Sequence, residues 1–305
     1  MARYVTVASI SERPPAPDPG RPDALLDHAA HLVWRAKQHG ADIVAFPEIY
    51  PHWHLGKPST CAEELSSRTT TRIMEEARKL GVYVIWPQWE RQGEDLYNAA
   101  VLIDRKGEVA GVYHKVHPTV GEIDDGIIPG TDYPTFETDF GRIGMAICFD
   151  LNFPDIMRGL AANGAEVIFF CSAYRGGLQV QFWAFELGVY LVASVGAEYG
   201  RIVDLTGQVL RVSTYESLIA QRINLDRVLL HMDGNWDKMD SMLEKYGTGV
   251  RFDYVTPEAC YAVSSEREGL SVQSLIEEFG LEGRRAYFDR SNMVRAQALE
   301  RRGML

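Results

Sequence analysis

One run constrains this chain more than any other: Gly141-Arg142-Ile143-Gly144-Met145-Ala146-Ile147-Cys148-Phe149-Asp150-Leu151-Asn152-Phe153-Pro154-Asp155. Under a period of two, Ile143, Met145 and Ile147 share one face, while Gly144, Ala146 and Cys148 share the other, as in a buried strand. Pro154 suits the first turn of a helix, where a missing N–H costs nothing, and Asn163-Gly164 supplies the stop. The run therefore predicts a strand that turns sharply into a helix with a cysteine at the strand tip. A thiol held there, beside the Phe149 backbone N–H, has the arrangement that acyl chemistry requires.

The rest of the chain repeats this alternation. Tyr4 to Ile10 reads as a strand and is followed by the Pro-rich connection Arg13–Gly20, which cannot be regular structure. Leu25, Ala29, Leu32, Val33 and Ala36 then have helical spacing and lead to the apolar strand Ile43–Phe46, which Pro47-Glu48 ends. A second helix is predicted from about Glu63 to Leu80, capped by Gly81 before the strand Val82–Trp86. Asn98–Asp104 and Glu108–Tyr113 form a hairpin across Arg105-Lys106-Gly107, so Lys115 falls just past a strand end. Residues 116–140 are rich in Gly and Pro and read as loop over the site.

Gly40-Ala41-Asp42-Ile43-Val44-Ala45-Phe46 is echoed by Gly164-Ala165-Glu166-Val167-Ile168-Phe169-Phe170, which suggests two similar halves. Further strands are expected at 190–195, 201–204, 208–212 and 218–223. An α/β domain follows, with two sheets packed face to face under outer helices; periodicity leaves a doubly wound single sheet open as the alternative. The expected division is a main domain over residues 1–265 and a polar, helical, subunit-facing C-terminal arm over 266–305.

A net charge of −11 argues against a nucleic-acid footprint or an anionic membrane surface as partner, since both need clustered Lys and Arg. There is no apolar signal core and no 18-residue apolar run, which predicts a cytosolic protein. Cys61, Cys148, Cys171 and Cys260 have no metal-ligand spacing, so reduced thiols are expected and no metal.

A functional cysteine needs a means of losing its proton, because an ordinary thiol of pKa about 8.5 is only a few per cent ionised at neutral pH. Glu48 and Lys115, each just beyond a predicted strand, are the candidate base and cation. His114 and His117 flank Lys115 and leave a Cys-His pair as a competing reading.

Phe46-Pro47-Glu48, Tyr113-His114-Lys115-Val116-His117-Pro118 and the run from Gly141 to Asp150 with Phe153-Pro154-Asp155 resemble, in order, the three signature blocks of the nitrilase superfamily of carbon-nitrogen hydrolases. Tyr97-Asn98-Ala99, Pro129-Gly130, Glu186 with Tyr190, and Asp204 with Gly207 extend the resemblance across about residues 3–225. It implies a four-layer α-β-β-α sandwich, association into a homodimer or larger homo-oligomer, and catalysis with no metal or organic cofactor. By motif it implies Cys148 as nucleophile, Glu48 as general base and Lys115 as stabilising cation. Glu122 would be an auxiliary carboxylate and the Phe149 N–H an oxyanion donor. Cys148-Phe149-Asp150 looks closer to the amidase and carbamoylase branches than to true nitrilases, so the implied substrate is a small amide or N-carbamoyl compound, with nitrile hydrolysis by the same triad or a catalytically idle scaffold as the alternatives. Tyr50, His54, Tyr174, Arg175 and Trp183 follow the strand-tip blocks and are the candidate pocket residues. Arg175 would suit a substrate carboxylate or, equally, a structural ion pair.

Overall fold

The structure, a computed structural model, describes residues 2–304. The chain divides into two compact units: a larger one, Val5–Ala184 with Val189–Ile223, and a smaller one, Met1–Tyr4, Phe185–Gly188 and Asn224–Leu305.

The larger unit follows the alternation read from the sequence. In chain order it runs β1 (Tyr4–Ile10), α1 (Ala24–Gln38), β2 (Ile43–Ala45), α2 (Pro58–Cys61), α3 (Arg68–Leu80), β3 (Tyr83–Gln92), β4 (Asp95–Ile103), β5 (Val109–His114) and α4 (Val120–Asp124). It continues with β6 (Thr135–Glu137), β7 (Arg142–Ile147), α5 (Pro154–Ala162), β8 (Val167–Ser172), α6 (Leu178–Leu187), β9 (Tyr190–Val195), β10 (Arg201–Val203), β11 (Val209–Val212) and β12 (Leu218–Asn224). Two six-stranded sheets result, ordered β12-β1-β2-β3-β4-β5 and β11-β10-β9-β8-β7-β6. The strands β1, β2 and β3 are parallel, as are β7, β8 and β9, with antiparallel strands outside them. The two echoed segments supply β2 and β8, which occupy the same central place in their respective sheets.

Period two decides which side chains face which layer. Ala8, Ile10, Val44, Phe46, Val84, Trp86, Val101 and Ile103 pack with Leu32, Val33 and Ala36 of α1 and Ile73 and Ala77 of α3 in one outer core. The alternate residues turn toward the opposite sheet, where the buried Ser9 hydroxyl donates to the Ala193 carbonyl at 2.8 Å and lies 3.1 Å from the Ser194 hydroxyl. On the far side, α5 packs so tightly on β7 that a β-carbon at Gly144 would sit 3.2 Å from Ala165 and 3.3 Å from Leu160. The layers are α-β-β-α.

Some boundaries differ from expectation. The helix predicted from Glu63 begins at Arg68, because Glu63 is drawn into bridge pairing beside β3: its N–H donates to the Trp89 carbonyl, and its carbonyl accepts from the Arg91 N–H. Strand β3 runs on to Gln92, where antiparallel pairing with β4 continues past the short apolar stretch. The loop-rich segment 116–140 contains α4 and β6.

The smaller unit has its own three-stranded antiparallel sheet of β13 (Arg227–His231), β14 (Val250–Val255) and β15 (Cys260–Ser265), ordered β13-β15-β14. Helices α7 (Met239–Tyr246), α8 (Val272–Phe279) and α9 (Arg284–Glu300) complete it. Residues 266–305, read from sequence as an arm, lie within this unit. Leu275 of α8 is fully buried with Leu230, Met242, Tyr261 and Val263, whereas α9 buries no residue and exposes Met293 and Val294. No helix among the described residues is long and apolar enough to cross a membrane.

Candidate active site

Three strand ends of the larger unit place the chemistry. Glu48 follows β2, Lys115 directly follows β5, and Cys148 directly follows β7. Both short connections are bent into the left-handed region: Ile49, next to Glu48, has φ of 45°, and Cys148 itself has φ of 49°. Each such residue costs about 1–3 kcal/mol, a strain kept only where surrounding structure enforces it. At Cys148 the bend ends the strand, begins a 3-10 turn over Cys148–Asn152, and leaves the residue partly exposed above buried β7. Phe149 is then in the first turn, where a backbone N–H has no intrahelical acceptor.

The side chains converge. Lys115, 1% exposed, donates from Nζ to Glu48 Oε1 at 2.8 Å and to both Glu122 oxygens at 3.0 and 2.8 Å. Asn98, fully buried on β4, donates from Nδ2 to Glu48 Oε1 and to Glu122 Oε1, each at 2.8 Å. The other Glu48 oxygen accepts the Ala173 N–H at 3.0 Å. Glu122 is held by a capping box at the start of α4, its carboxylate accepting the Thr119 N–H at 2.7 Å. The Cys148 thiol is within hydrogen-bonding reach of Glu48 and of the buried Ser172 hydroxyl.

Burial, then the Glu48 carboxylate, push the Cys148 thiol up to about 12, against the pull of Lys115 and Ser172. Burial opposes the charge of Lys115, yet Glu48 and Glu122 hold the ammonium above its ordinary value. Burial likewise opposes the Glu122 charge, but Lys115, Thr119 and Asn98 keep its carboxyl below the usual range. The resting site is thus a protonated thiol beside an ammonium shared by two carboxylates. Such a thiol becomes a nucleophile only as its proton is taken.

Asp150 ties the strand ends together. Its Oδ2 accepts the Ile147 N–H at 2.9 Å and the Tyr113 hydroxyl at 2.7 Å, and its Oδ1 accepts the His117 N–H at 2.9 Å. One buried carboxylate therefore spans the residue before Cys148 and residues on both sides of Lys115. Burial raises it to about 6 despite those three donors. Neither flanking histidine is placed on the thiol: His114 Nε2 lies 2.8 Å from Glu90 Oε2, and His117 stacks on Phe153 with ring centroids 3.6 Å apart.

The pocket candidates divide. Tyr174 stands near the thiol, and chiefly burial pushes its hydroxyl up to about 12. Arg175, exposed, donates from Nε to the Glu198 carbonyl at 3.0 Å. Trp183 is 5% exposed and donates from Nε1 to the Leu151 carbonyl at 2.8 Å, so it braces the turn after Cys148. Tyr50 is fully buried among Phe46 and Trp86 and donates to Glu12; it is part of the outer core. His54 is exposed, with Nε2 3.0 Å from the Pro14 carbonyl. Asn98, Ser172 and Asp150 had no assigned role from sequence. Only the motif context of Asn98 and Asp150 could have flagged them, since pairing across strands is not written in local spacing.

Residues 6–229 match the family model described as carbon-nitrogen hydrolase. Among curated proteins, the chain is similar to a nitrilase of Pyrococcus abyssi, 32% identical over 155 residues, covering 48% of this chain and 58% of that protein. It is also similar to the N-carbamoylputrescine amidase of Solanum tuberosum, 32% identical over 165 residues, covering 48% and 52%. The chain thus spans little more than half the length of these two relatives. Among solved structures, an amidase from Nesterenkonia sp. superposes with a TM-score of 0.62 at 23% identity, covering 72% of this chain and 90% of that one, a likeness of fold.

Proposed function

The chain belongs to the carbon-nitrogen hydrolase family, and on that premise we propose that it is a cysteine hydrolase cleaving the non-peptide C–N bond of a small amide or N-carbamoyl compound. The observation that carries this reading is the buried Lys115 ammonium bridging Glu48 and Glu122 beside the Cys148 thiol.

Glu48 takes the thiol proton as sulfur attacks the carbonyl carbon, so no free thiolate needs to accumulate. The oxyanion that forms is met by the Lys115 ammonium and the Phe149 N–H, donors of a kind whose loss typically costs about 10²–10³ in rate. Collapse breaks the C–N bond, and Glu48 returns the proton to the departing ammonia or amine, leaving a thioester on Cys148. Glu48 then deprotonates water for attack on the thioester, and the expelled sulfur recovers the proton. Glu122 and Asn98 fix Lys115 and Glu48 through both half-reactions, and the left-handed backbone at Cys148 aims sulfur and the Phe149 N–H at one carbonyl group.

The test is ammonia release from short amides, N-carbamoyl amino acids and nitriles by the wild type and Cys148→Ala, with mass spectrometry of quenched enzyme. The expected result is Cys148-dependent release and an acyl adduct on that residue. Equal release from both proteins would refute the reading, and activity confined to nitriles would reassign the substrate. The same reading carries a homo-oligomeric assembly, which light scattering on the purified protein checks.

A further inference from the structure

A fourth strand end meets the thiol. The parallel pairing of β7 with β8 sets Ile147 beside Cys171, so the next residues, Cys148 and Ser172, leave the two strands together. Ser172 is fully buried, and its hydroxyl is within hydrogen-bonding reach of the Cys148 thiol. The two residues that follow lock the arrangement. The Ala173 N–H donates to Glu48 Oε2, and the Tyr174 N–H turns back to donate to Ser172 Oγ, each at 3.0 Å. The Ser172 carbonyl accepts the Gly196 N–H of the neighbouring strand end at 2.9 Å, so the main chain of the residue is fixed as well as its oxygen.

Counting donors and acceptors assigns the hydroxyl its role. A serine carries one O–H donor beside its acceptor lone pairs. The Tyr174 N–H occupies the acceptor side, and among the described residues the O–H has no acceptor but the Cys148 sulfur. Lys115 is differently placed. Its ammonium has three N–H donors, directed at Glu48 Oε1 and at both Glu122 oxygens, so in the resting site it acts on sulfur by charge and not by a hydrogen bond. The two side chains that do reach the thiol oppose each other: Glu48 pushes its pKa up and Ser172 pulls it down. Those are the signs of an acceptor for the thiol proton and a donor to the charge left behind.

We infer that Ser172 is a further catalytic residue, whose hydroxyl donates to the Cys148 sulfur as negative charge develops there. This deepens the proposed hydrolase reading and rests on it for the reaction steps. In acylation the S–H proton passes to Glu48 while the sulfur electron pair forms the C–S bond, and the Ser172 O–H meets the charge that builds before that bond is complete. In deacylation the C–S bond breaks with its electron pair on sulfur. The Ser172 O–H meets that charge until Glu48 returns the proton taken from water. Ser172 gives up no proton in either step.

The experiment measures iodoacetamide labelling of Cys148 at pH 8 and ammonia release from short amides, in the wild type and in Ser172→Ala, Ser172→Val and Ser172→Thr. Loss of a hydrogen bond to a charged group lowers the thiolate population by about 10- to 100-fold. The remaining thiolate is more nucleophilic by a slope of about 0.4–0.5, so labelling of Ser172→Ala is expected to be about 3- to 10-fold slower, with ammonia release reduced by a similar factor. Ser172→Val and Ser172→Thr have the same shape and differ in the hydroxyl. Threonine is expected to recover most of the wild-type labelling rate and valine to label like alanine. Labelling of Ser172→Ala as fast as wild type, or equal labelling of the valine and threonine variants, would overturn the inference. Labelling needs no turnover: a rate that follows the hydroxyl while no amide is hydrolysed supports the donor on sulfur and counts against the hydrolase reading alone.

Discussion

Replacing Glu48 by Gln is expected to move two properties of Cys148 in opposite directions. The wild-type thiol stands at about 12, with burial and Glu48 as the two leading causes. At pH 8 only about one thiol in 10⁴ is then ionised. A carboxylate at about 4 Å in a medium of effective dielectric about 20 is worth about 4 kcal/mol, or about three pKa units. Its removal leaves Lys115, still paired with Glu122 at 2.8 Å, as the nearest charge and raises the thiolate fraction by about 10³. Because intrinsic nucleophilicity falls with pKa, at a slope of about 0.4–0.5, the net gain in alkylation rate is about 10- to 100-fold. Amide turnover, which needs the proton moved twice, is expected to drop by about 10²–10⁴. The assay is iodoacetamide labelling of Cys148 at pH 8, read by mass spectrometry, beside ammonia release by the same preparations. Labelling of Glu48→Gln no faster than wild type would refute the argument that this carboxylate holds the thiol proton.

Lys115→Met is expected to lower kcat by about 10²–10³ and, by leaving Glu48 and Glu122 as adjacent uncompensated carboxylates, to cost about 3–5 kcal/mol in urea unfolding; a variant as stable as wild type would contradict the shared-ammonium description. Asp150, raised from 3.8 to about 6, binds a proton in the fold over a range where the unfolded chain has released it, so its contribution falls as pH rises through that window. The two units correspond to about 3 kcal/mol, so urea titrations from pH 4 to pH 7 should show Asp150→Asn gaining on wild type by about that amount, and parallel curves would refute the shift. At Gly130 a β-carbon would lie 2.3 Å from the His114 carbonyl, and the Gly130 N–H donates to the Lys115 carbonyl at 2.9 Å. Gly130→Ala is expected to cost about 1–3 kcal/mol and to depress kcat by displacing Lys115, with unchanged unfolding and kinetics as the refuting result.

Local rules made much of the site legible. Alternation identified β2, β5 and β7, and the residues that stop them are Glu48, Lys115 and Cys148, so candidates could be named from strand ends alone. The echo between 40–46 and 164–170 correctly marked two equivalent central strands. Other features were not readable because they depend on pairing between distant segments. Asn98 looks like any polar residue on a strand until β4 lies beside β5 and presents it to both glutamates. Tyr50 follows a strand-tip block in the same manner as Tyr174, yet it turns into the outer core while Tyr174 stays near the thiol. The three-stranded sheet of residues 227–265 carried no distinct signal, since short strands around 3-10 turns lack a sustained period.

By itself the sequence determined which chemical groups stand at which strand ends, because backbone periodicity and turn chemistry act over a few residues. Tertiary structure decided their protonation and partnership: which carboxylates share Lys115, that burial and Glu48 hold the proton on the thiol, and that Asn98 donates to both glutamates. Those properties depend on burial and on separations of a few ångströms between segments far apart in the chain, and such distances are set only when the two sheets close on each other.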